Sequence, residues 1–349
     1  LMIIIALTYL FGLLGVVVGY ENNIAMIPIA ATISLALGGD LMLAAAIAVG
    51  GITVGFGLSP INPYTVGTGH KIAELPMFSG ALMRSLLCFS GLTVLAFFNR
   101  QYFKKIIKDS KKSLTLDIDQ TGFGLTKDLS SYQLKYKDLT ILFIFLTGLF
   151  FMLYGVFRWH WYLNQISAIF LMISIVAGLV AGMNGRMIGE TTFKSISLVA
   201  PGAFMVGLAA TIKIILEEAS IGDTIAYELA ESLNGLSAYG SALGMSLAQL
   251  LINFAIPSGS GQALATLPIM IPTGELLGLT RQTTILAFQI GDGVSNLMNP
   301  SLGGLIAMLS LCRVTFDRWL KFILPVIITV LLISWIFLVL GVAINWGPF

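Results

Sequence analysis

The sequence predicts an all-α polytopic membrane protein made of inverted repeats, each with a re-entrant helical hairpin and a broken transmembrane helix. Three observations carry this expectation. Only 10% of the 349 residues are charged and the mean hydropathy is +0.92, whereas a soluble domain carries roughly a quarter charged residues. The 36 charges are also uneven: 14 fall in residues 99–138, leaving charge-free stretches at 1–20, 41–58, 139–157 and 322–344, each about long enough to cross hydrocarbon as a helix. Glycine clusters twice, with 11 of the 37 in residues 11–69 and 11 in 235–304. The general enrichment of Gly in membrane helices would spread it evenly, so two windows point to an internal repeat.

Residues 1–79 read as the hairpin and broken helix of the first repeat. Residues 1–18 are apolar, Gly19-Tyr20-Glu21-Asn22-Asn23 form a polar knot, and the run 24–37 ends at Gly38-Gly39-Asp40. Fourteen residues span about 21 Å as a helix, short of a roughly 30 Å core, so this segment is expected to return to the side it entered. The next run is broken by Gly57-Leu58-Ser59-Pro60-Ile61-Asn62-Pro63-Tyr64-Thr65. Proline removes a backbone donor and disfavours helix in the residue before it, while Asn-Pro makes a good N-cap and first helical residue. The helix should stop, unwind and restart there.

A transmembrane helix is expected at 80–98 and a connector at 99–138. Residues 139–215 read as scaffold helices of the second repeat (139–157, 162–183 and 196–215), and 216–238 as an amphipathic outer segment. Residues 239–312 repeat the first layout: an apolar run at 239–256, the knot Pro257-Ser258-Gly259-Ser260-Gly261-Gln262, a short run at 264–279, and a break at Gly293-Val294-Ser295-Asn296-Leu297-Met298-Asn299-Pro300-Ser301. Asn23 to Asn62 spans 39 residues and Gln262 to Asn299 spans 37. Residues 313–349 hold a C-terminal transmembrane helix.

Arg100, Lys104, Lys105, Lys108, Lys111 and Lys112 place the connector on the cytoplasmic side. Counting helices outward, the loops 184–195 (Arg186, Lys194) and 313–321 (Arg313, Arg318, Lys321) fall inside, and the acidic stretch 217–231 falls outside. The first hairpin then opens to the cytoplasm and the second to the exterior, which makes the repeats inverted. The expected setting is a bacterial cytoplasmic (inner) membrane, with the lipid bilayer as partner. The first 20 residues lack a basic n-region and a small-residue cleavage site and do not begin with Met, so N-terminal scaffold helices are expected to be missing.

The net charge of +2 belongs to loops and leaves no basic face for nucleic acid. Cys88 and Cys312 sit in apolar surroundings, with no metal-ligand spacing and no disulfide framework. No cofactor is expected.

Non-helical backbone at membrane depth is tolerated only where it is buried in protein or lines a watery cavity. Breaks bring helix N-termini, carrying about +0.5 charge, towards the midplane, where they can hold a carboxylate. Glu21 and Asp292 are the only acids in the elements expected to unwind, and an intramembrane acid is a functional candidate. Ser59, Asn62, Thr65, Ser295, Asn296 and Asn299 are expected to cap restarted helices and to contact substrate or ion. Oxygen-rich knots without Cys or His suit a hard cation, and a Na⁺ is expected at Asn62, Ser59, Asn299 and Ser295. Ser258, Gly259, Ser260, Gly261 and Gln262 form a glycine-interleaved loop whose amides can nest an anion. Asn22, Asn23 and Pro63 complete the set. Arg84 and Lys213, near helix ends, are expected to snorkel, and His70 and His160 to be interfacial.

Neutral Ser, Asn and amide donors favour a small carboxylate-bearing solute, a dicarboxylate or an amino acid, moved with Na⁺ or H⁺ or by exchange. An ion channel could use the same re-entrant loops as a filter. An intramembrane protease would need a second acid or a base at depth, and the sequence offers neither.

Asn253-Phe254-Ala255-Ile256-Pro257-Ser258-Gly259-Ser260-Gly261-Gln262-Ala263, with Pro268-Ile269-Met270, Thr280-Arg281-Gln282 and Ala287-Phe288-Gln289-Ile290-Gly291-Asp292-Gly293, resembles the YfcC-type carriers of the C4-dicarboxylate anaerobic carrier-like family. Asn62-Pro63 and Asp223-Thr224-Ile225 match it as well. That family lies in the ion transporter superfamily, beside divalent anion:sodium symporters and p-aminobenzoyl-glutamate transporters. The resemblance implies a scaffold domain, a mobile transport domain of two hairpins and two broken helices, elevator-type alternating access and a homodimer. Sodium-coupled relatives use Ser-Asn-Thr at the hairpin tips, where this chain has Glu-Asn-Asn and Pro-Ser-Gly-Ser-Gly-Gln. Some members are called dicarboxylate carriers and others basic amino-acid antiporters of the arginine/ornithine type.

Overall fold

The apolar runs fold as helices, and the polar knots between them hold turns and capped helix starts. The computed structural model describes residues 1–123, 135–159, 161, 163–219, 224, 228, 231–232 and 235–347, and all regular elements among them are helical. Helix α1 (Met2–Val18) leads through a 3₁₀ turn (Glu21–Met26) into α2 (Ile27–Ala36). Gly38, at φ 82, ends α2 as glycine caps do, with the Gly39 amide donating to Ser34 O at 2.8 Å. Asp40 then caps α3 (Leu41–Gly57), its Oδ1 accepting from the Leu43 amide at 2.7 Å. Asn62-Pro63 restarts the chain as α4, a wide turn Pro63–Gly67 continuing as Thr68–Ile72. Beyond the long α5 (Ala81–Lys108) come α6 (Tyr136–Trp159), α7 (Leu163–Val180) and α8 (Gly185–Glu218). The second repeat follows as α9 (Ala238–Ala255), α10 (Gly259–Leu276), α11 (Arg281–Ser295) and α12 (Gly303–Leu311), and α13 (Phe316–Ala343) closes the chain. Helices α5 and α13 are each long and apolar enough to cross a bilayer by length and composition.

Four boundaries correct the sequence expectation. Helix α5 runs ten residues beyond the expected 98, because Arg100, Lys104, Lys105 and Lys108 end its apolar stretch without ending its helix; basic residues suit a helix C-terminus. The expected loop 184–195 is the start of α8, where Arg186 and Glu190 pair one turn apart at 2.8 Å. The second repeat restarts at Gly303 and not at Pro300, with α11 stopping at Ser295. The knot 257–262 is mostly helix, because Ser258 caps α10 through the Gly261 amide at 3.3 Å. The expected outer segment 216–238 falls largely outside the described residues.

Corresponding pieces of the two windows pack alike. Helices α1 and α3 run in the same direction: Thr8 lies by Gly51, Gly12 by Gly55 and Val16 by Ser59, a constant separation of 43 residues. Helices α9 and α11 do the same, with Leu250 by Gly291 and Asn253 by Ser295. In Gly55-Phe56-Gly57 and Gly291-Asp292-Gly293 the first glycine meets its own repeat's leading helix. The second glycines meet each other: a Cβ on Gly57 would lie 2.6 Å from the Gly293 Cα, and one on Gly293 2.6 Å from the Gly57 Cα. Only glycine permits backbones this close.

The connector is strapped across one end of this core. Asp40 Oδ2 accepts from Tyr102 OH at 2.6 Å and from Ser113 Oγ, and the Met42 amide donates to Thr115 Oγ1. Arg318 forks onto Asp117 at 2.6 and 2.7 Å and donates to Leu114 O. Hydrogen bonds from Arg318 hold the Asp117 carboxyl at about 2, below its ordinary 3.8. A carboxyl depressed on docking stabilises the docked state above 3.8 and loses that contribution as the pH falls through about 2. The protection of the amides over residues 113–119, taken relative to the intrinsic exchange rate at each pH, should therefore be the same at pH 7 and pH 5 and should fall below about pH 3.

Candidate functional site

The breaks of both repeats converge on one cavity of about 190 Å³, lined by Tyr20, Glu21, Phe56, Tyr64, Pro257, Ser258, Gly259, Ser260, Asn296 and Leu302. Each repeat's tip rests on the restart of the other. A Cβ on Gly259 would lie 2.5 Å from Thr65 Cγ2, and one on Gly304 would lie 2.7 Å from a ring carbon of Tyr20. Crossed packing places the α10 N-terminus, the positive end of that helix's dipole, on the same cavity as Glu21. The rings of Tyr20 and Phe56 lie 5.5 Å apart and those of Phe56 and Tyr64 6.5 Å apart.

Of the sequence-predicted residues, Glu21, Ser258, Gly259, Ser260 and Asn296 line the cavity. Thr65 and Asp292 lie directly behind Gly259, with the Asp292 oxygens 3.6 and 3.8 Å from where its Cβ would be. Both are fully buried, and among the described residues neither Thr65 Oγ1 nor either Asp292 carboxylate oxygen has a hydrogen-bond partner. Asp292 sits in the last turn of α11 and not in unwound chain, which corrects the expectation.

The remaining candidates hold the breaks open. Asn22 and Asn23 donate to carbonyls at the end of α1, Val18 O at 2.9 Å and Leu14 O at 3.1 Å. Asn62 Oδ1 accepts from the Tyr64 and Thr65 amides and its Nδ2 donates to Phe56 O, with Pro63 as the first residue of α4. Ser59 Oγ donates to Val16 O at 3.3 Å. Ser295 Oγ donates to Gly291 O at 2.7 Å. Asn299 Nδ2 donates to Asn253 O, and its Oδ1 accepts from the Ser301 amide. Ser59 and Asn62 thus serve one break, and Ser295 and Asn299 the other. The Gly261 amide turns back to Ser258, and Gln262 points away into α9, its Nε2 donating to Gln249 O at 2.8 Å.

Two expectations about charge are corrected. Arg84 does not snorkel: it is fully buried, with Nε donating to Gln289 Oε1 at 2.9 Å, Nη1 to Ser79 O at 3.0 Å, and its guanidinium 4.8 Å from the centre of the Trp346 ring. These groups replace the water that snorkelling would seek. His70 is fully buried, not interfacial, with Nε2 3.0 Å from Gln282 Oε1 and Nδ1 accepting from the Phe78 amide. His160 and the Lys213 side chain lie outside the described residues.

Asn253 and Gln289 were missed. Asn253 Nδ2 reaches Asp292 O, Ser295 Oγ and Asn296 Oδ1 at 3.2, 2.6 and 2.7 Å, and Gln289 Nε2 donates to Ser59 O at 2.8 Å. The signal was present: Gln249 and Asn253 sit four residues apart on α9, and Gln282 and Gln289 seven apart on α11, one face each.

A model of the C4-dicarboxylate anaerobic carrier (DcuC) family matches residues 1–343. YfcC of Escherichia coli (strain K12), a candidate basic amino acid antiporter, is 29% identical over 90% of this chain and 65% of its own length. An uncharacterized protein of Haemophilus influenzae is 28% identical over 98% of this chain and 68% of its own. The chain thus spans about two thirds of the length of these relatives. Among solved structures, the Alcanivorax borkumensis YdaH transporter matches with TM-score 0.56 and 18% identity over 99% of this chain and 79% of that one. Neisseria gonorrhoeae MtrF, of a class of antimetabolite efflux pumps, matches with TM-score 0.50 and 18% identity over 97% and 74%. Both likenesses speak to the fold alone.

Proposed function

The chain belongs to the C4-dicarboxylate anaerobic carrier family, and on that premise we propose that it moves a small carboxylate-bearing solute across the bacterial inner membrane as a secondary active transporter. The observation that carries this reading is the cavity where two helix breaks meet the α10 N-terminus. A helix N-terminus is suited to a carboxylate, and two helices broken at one place provide a site that can face either side. An elevator motion is supported by the packing. The crossed repeats, α1–α4 and α9–α12, interlock through Gly57 and Gly293, whereas α6 and α7 turn Leu142, Phe143, Phe150, Leu171 and Met172 outward. In this reading the interlocked repeats, inverted in the membrane and each with a re-entrant hairpin, travel as one body against a scaffold, in a homodimer.

Glu21 and the rings of Tyr20, Phe56 and Tyr64 favour a solute that also carries an ammonium or guanidinium group, since aromatic faces and a carboxylate both attract cations. An amino acid, exchanged or coupled to Na⁺ or H⁺, therefore fits the cavity better than a dicarboxylate. The test is uptake of labelled amino acids and C4 dicarboxylates into proteoliposomes under imposed ion gradients. Ser260→Leu, which fills the cavity, should abolish uptake of every solute carried. Glu21→Gln should cut uptake of a cationic amino acid by about tenfold or more, the value of a lost charged contact. Wild-type uptake in both variants would overturn the site.

A further inference from the structure

Away from the cavity of the breaks, an open groove of about 650 Å³ runs between α5 and α13, with Phe89, Ser90, Thr93 and Phe97 on one side and Thr329 and Ile333 on the other. The rings at its rim face outward, Phe89 being 61% and Phe97 53% exposed. Its hydroxyl protons are already spent within their own helices: Ser90 Oγ donates to Leu86 O at 2.8 Å, Thr93 Oγ1 to Phe89 O at 2.7 Å and Thr329 Oγ1 to Pro325 O at 2.8 Å. A polar solute would lose water there and gain little in exchange, whereas hydrocarbon loses nothing. From Phe89 to Phe97 the helix rises about 12 Å, close to half of a roughly 30 Å core. The groove is one leaflet deep.

One end of the groove is basic. Helices α5 and α13 are antiparallel, since Tyr102 meets Phe322 with ring centres 5.3 Å apart while Arg84 lies over Trp346 at the opposite end. Lys104 follows Phe97 by seven residues and Lys321 precedes Thr329 by eight, two turns in each case and therefore on the same helix faces as the groove. Both lysines are exposed, and among the described residues neither makes an ion pair. The nearby acids of the connector, Asp117 and Asp119, are taken by Arg318 and Arg313, and Asp317 acts on Lys321 only through space.

On the reading of the chain as a membrane carrier whose basic end is cytoplasmic, we propose that this groove binds one anionic phospholipid of the cytoplasmic leaflet, an acyl chain lying between α5 and α13 and the phosphate at Lys104 and Lys321. Basic groups at the cytoplasmic mouth of a cleft between transmembrane helices suit a lipid phosphate, and the two turns of helix between lysine and groove, about 11 Å, leave room for the glycerol region. A second copy of the chain is the rival occupant. Packed about a two-fold axis along the membrane normal, it would bring the lysines of this face towards their own counterparts, and the exposed phenyl rings are not the small residues that close membrane-helix interfaces use.

Native mass spectrometry of the purified chain in detergent, titrated with dioleoylphosphatidylglycerol or dioleoylphosphatidylcholine, counts bound lipids and bound copies in one measurement. The two probes share their acyl chains and differ in net headgroup charge. Wild type should bind one phosphatidylglycerol about tenfold or more tightly than phosphatidylcholine. Lys104→Gln/Lys321→Gln, at exposed positions, should fold and lose about tenfold of that preference, each lysine near an anionic headgroup being worth about fivefold, with phosphatidylcholine binding unchanged. Thr329→Trp, which fills the groove, should weaken binding of both lipids and leave the number of copies unaltered. Equal binding of the two lipids by wild type, or an undiminished preference in the double lysine variant, would overturn the proposal. A Thr329→Trp protein that binds lipid as wild type does but changes its number of copies would assign the groove to a second copy instead. None of these readings measures transport, so failure here leaves the carrier standing.

Discussion

Gly293→Val is expected to abolish uptake and to lower stability by about 3 kcal/mol or more, the upper range for overpacking a close contact. The added Cβ would lie 2.6 Å from the Gly57 Cα and oxygen and 2.7 Å from its carbonyl carbon. Side chains can rotate away from such an intrusion, but these atoms belong to backbone, and Gly57 is the last residue of α3 before its break. Separating the helices would withdraw Phe56 from the cavity and pull Ser59 O from Gln289. Gly57→Val should do the same, and the double variant should cost less than the two single costs added, because both substitutions break one contact. Gly185→Ala and Gly189→Ala, in α8 with no atom within 4 Å of a new Cβ, should change neither quantity. Thermal unfolding and proteoliposome uptake on the same preparations decide it; a Gly293→Val protein with wild-type midpoint and uptake would show that the crossing is not what holds the breaks together.

That crossing also shows what the sequence can and cannot reveal. The duplicated glycine windows and the Asn-Pro breaks are local features, set by backbone donors and steric limits, so they are legible in one dimension. Gly55-Phe56-Gly57 and Gly291-Asp292-Gly293 stand in register in the chain, yet nothing local states that their second glycines touch. Helix ends were legible where a cap forms, as at Asn62, and misleading where polarity was mistaken for an end, as after residue 98 and at 184–195. The same limit explains the site. Residue type marked Asp292, Thr65 and Ser258 as candidates, but whether an asparagine caps a break or faces a cavity depends on which carbonyl lies beside it, and that is decided by tertiary packing. Arg84 and His70 were misplaced for the same reason: their burial depends on Gln289, Gln282 and Trp346, distant in sequence.

Gln289 carries the second large expectation. It joins the buried Arg84 to the break of the other repeat, accepting from Arg84 Nε and donating to Ser59 O. Gln289→Leu leaves both groups unpaired. Arg84 Nη2 already lacks a partner, so the guanidinium would keep only Ser79 O and the Trp346 ring. Losing the hydrogen bond to a buried charged group costs roughly 1.5–3 kcal/mol, and an orphaned carbonyl adds about 1–3; a loss of several kcal/mol is expected, seen as a lower unfolding midpoint and poor yield. Gln289→Glu separates the two tasks. The carboxylate pairs with Arg84 at least as well as the amide oxygen did, while the Ser59 carbonyl now faces an acceptor and is pushed away. Stability near wild type with uptake reduced about tenfold is therefore expected of Gln289→Glu, the size of one lost buried hydrogen bond. If Gln289→Glu instead transports like wild type, the Ser59 carbonyl is held by Ser59-Pro60 itself, and Gln289 serves the arginine alone.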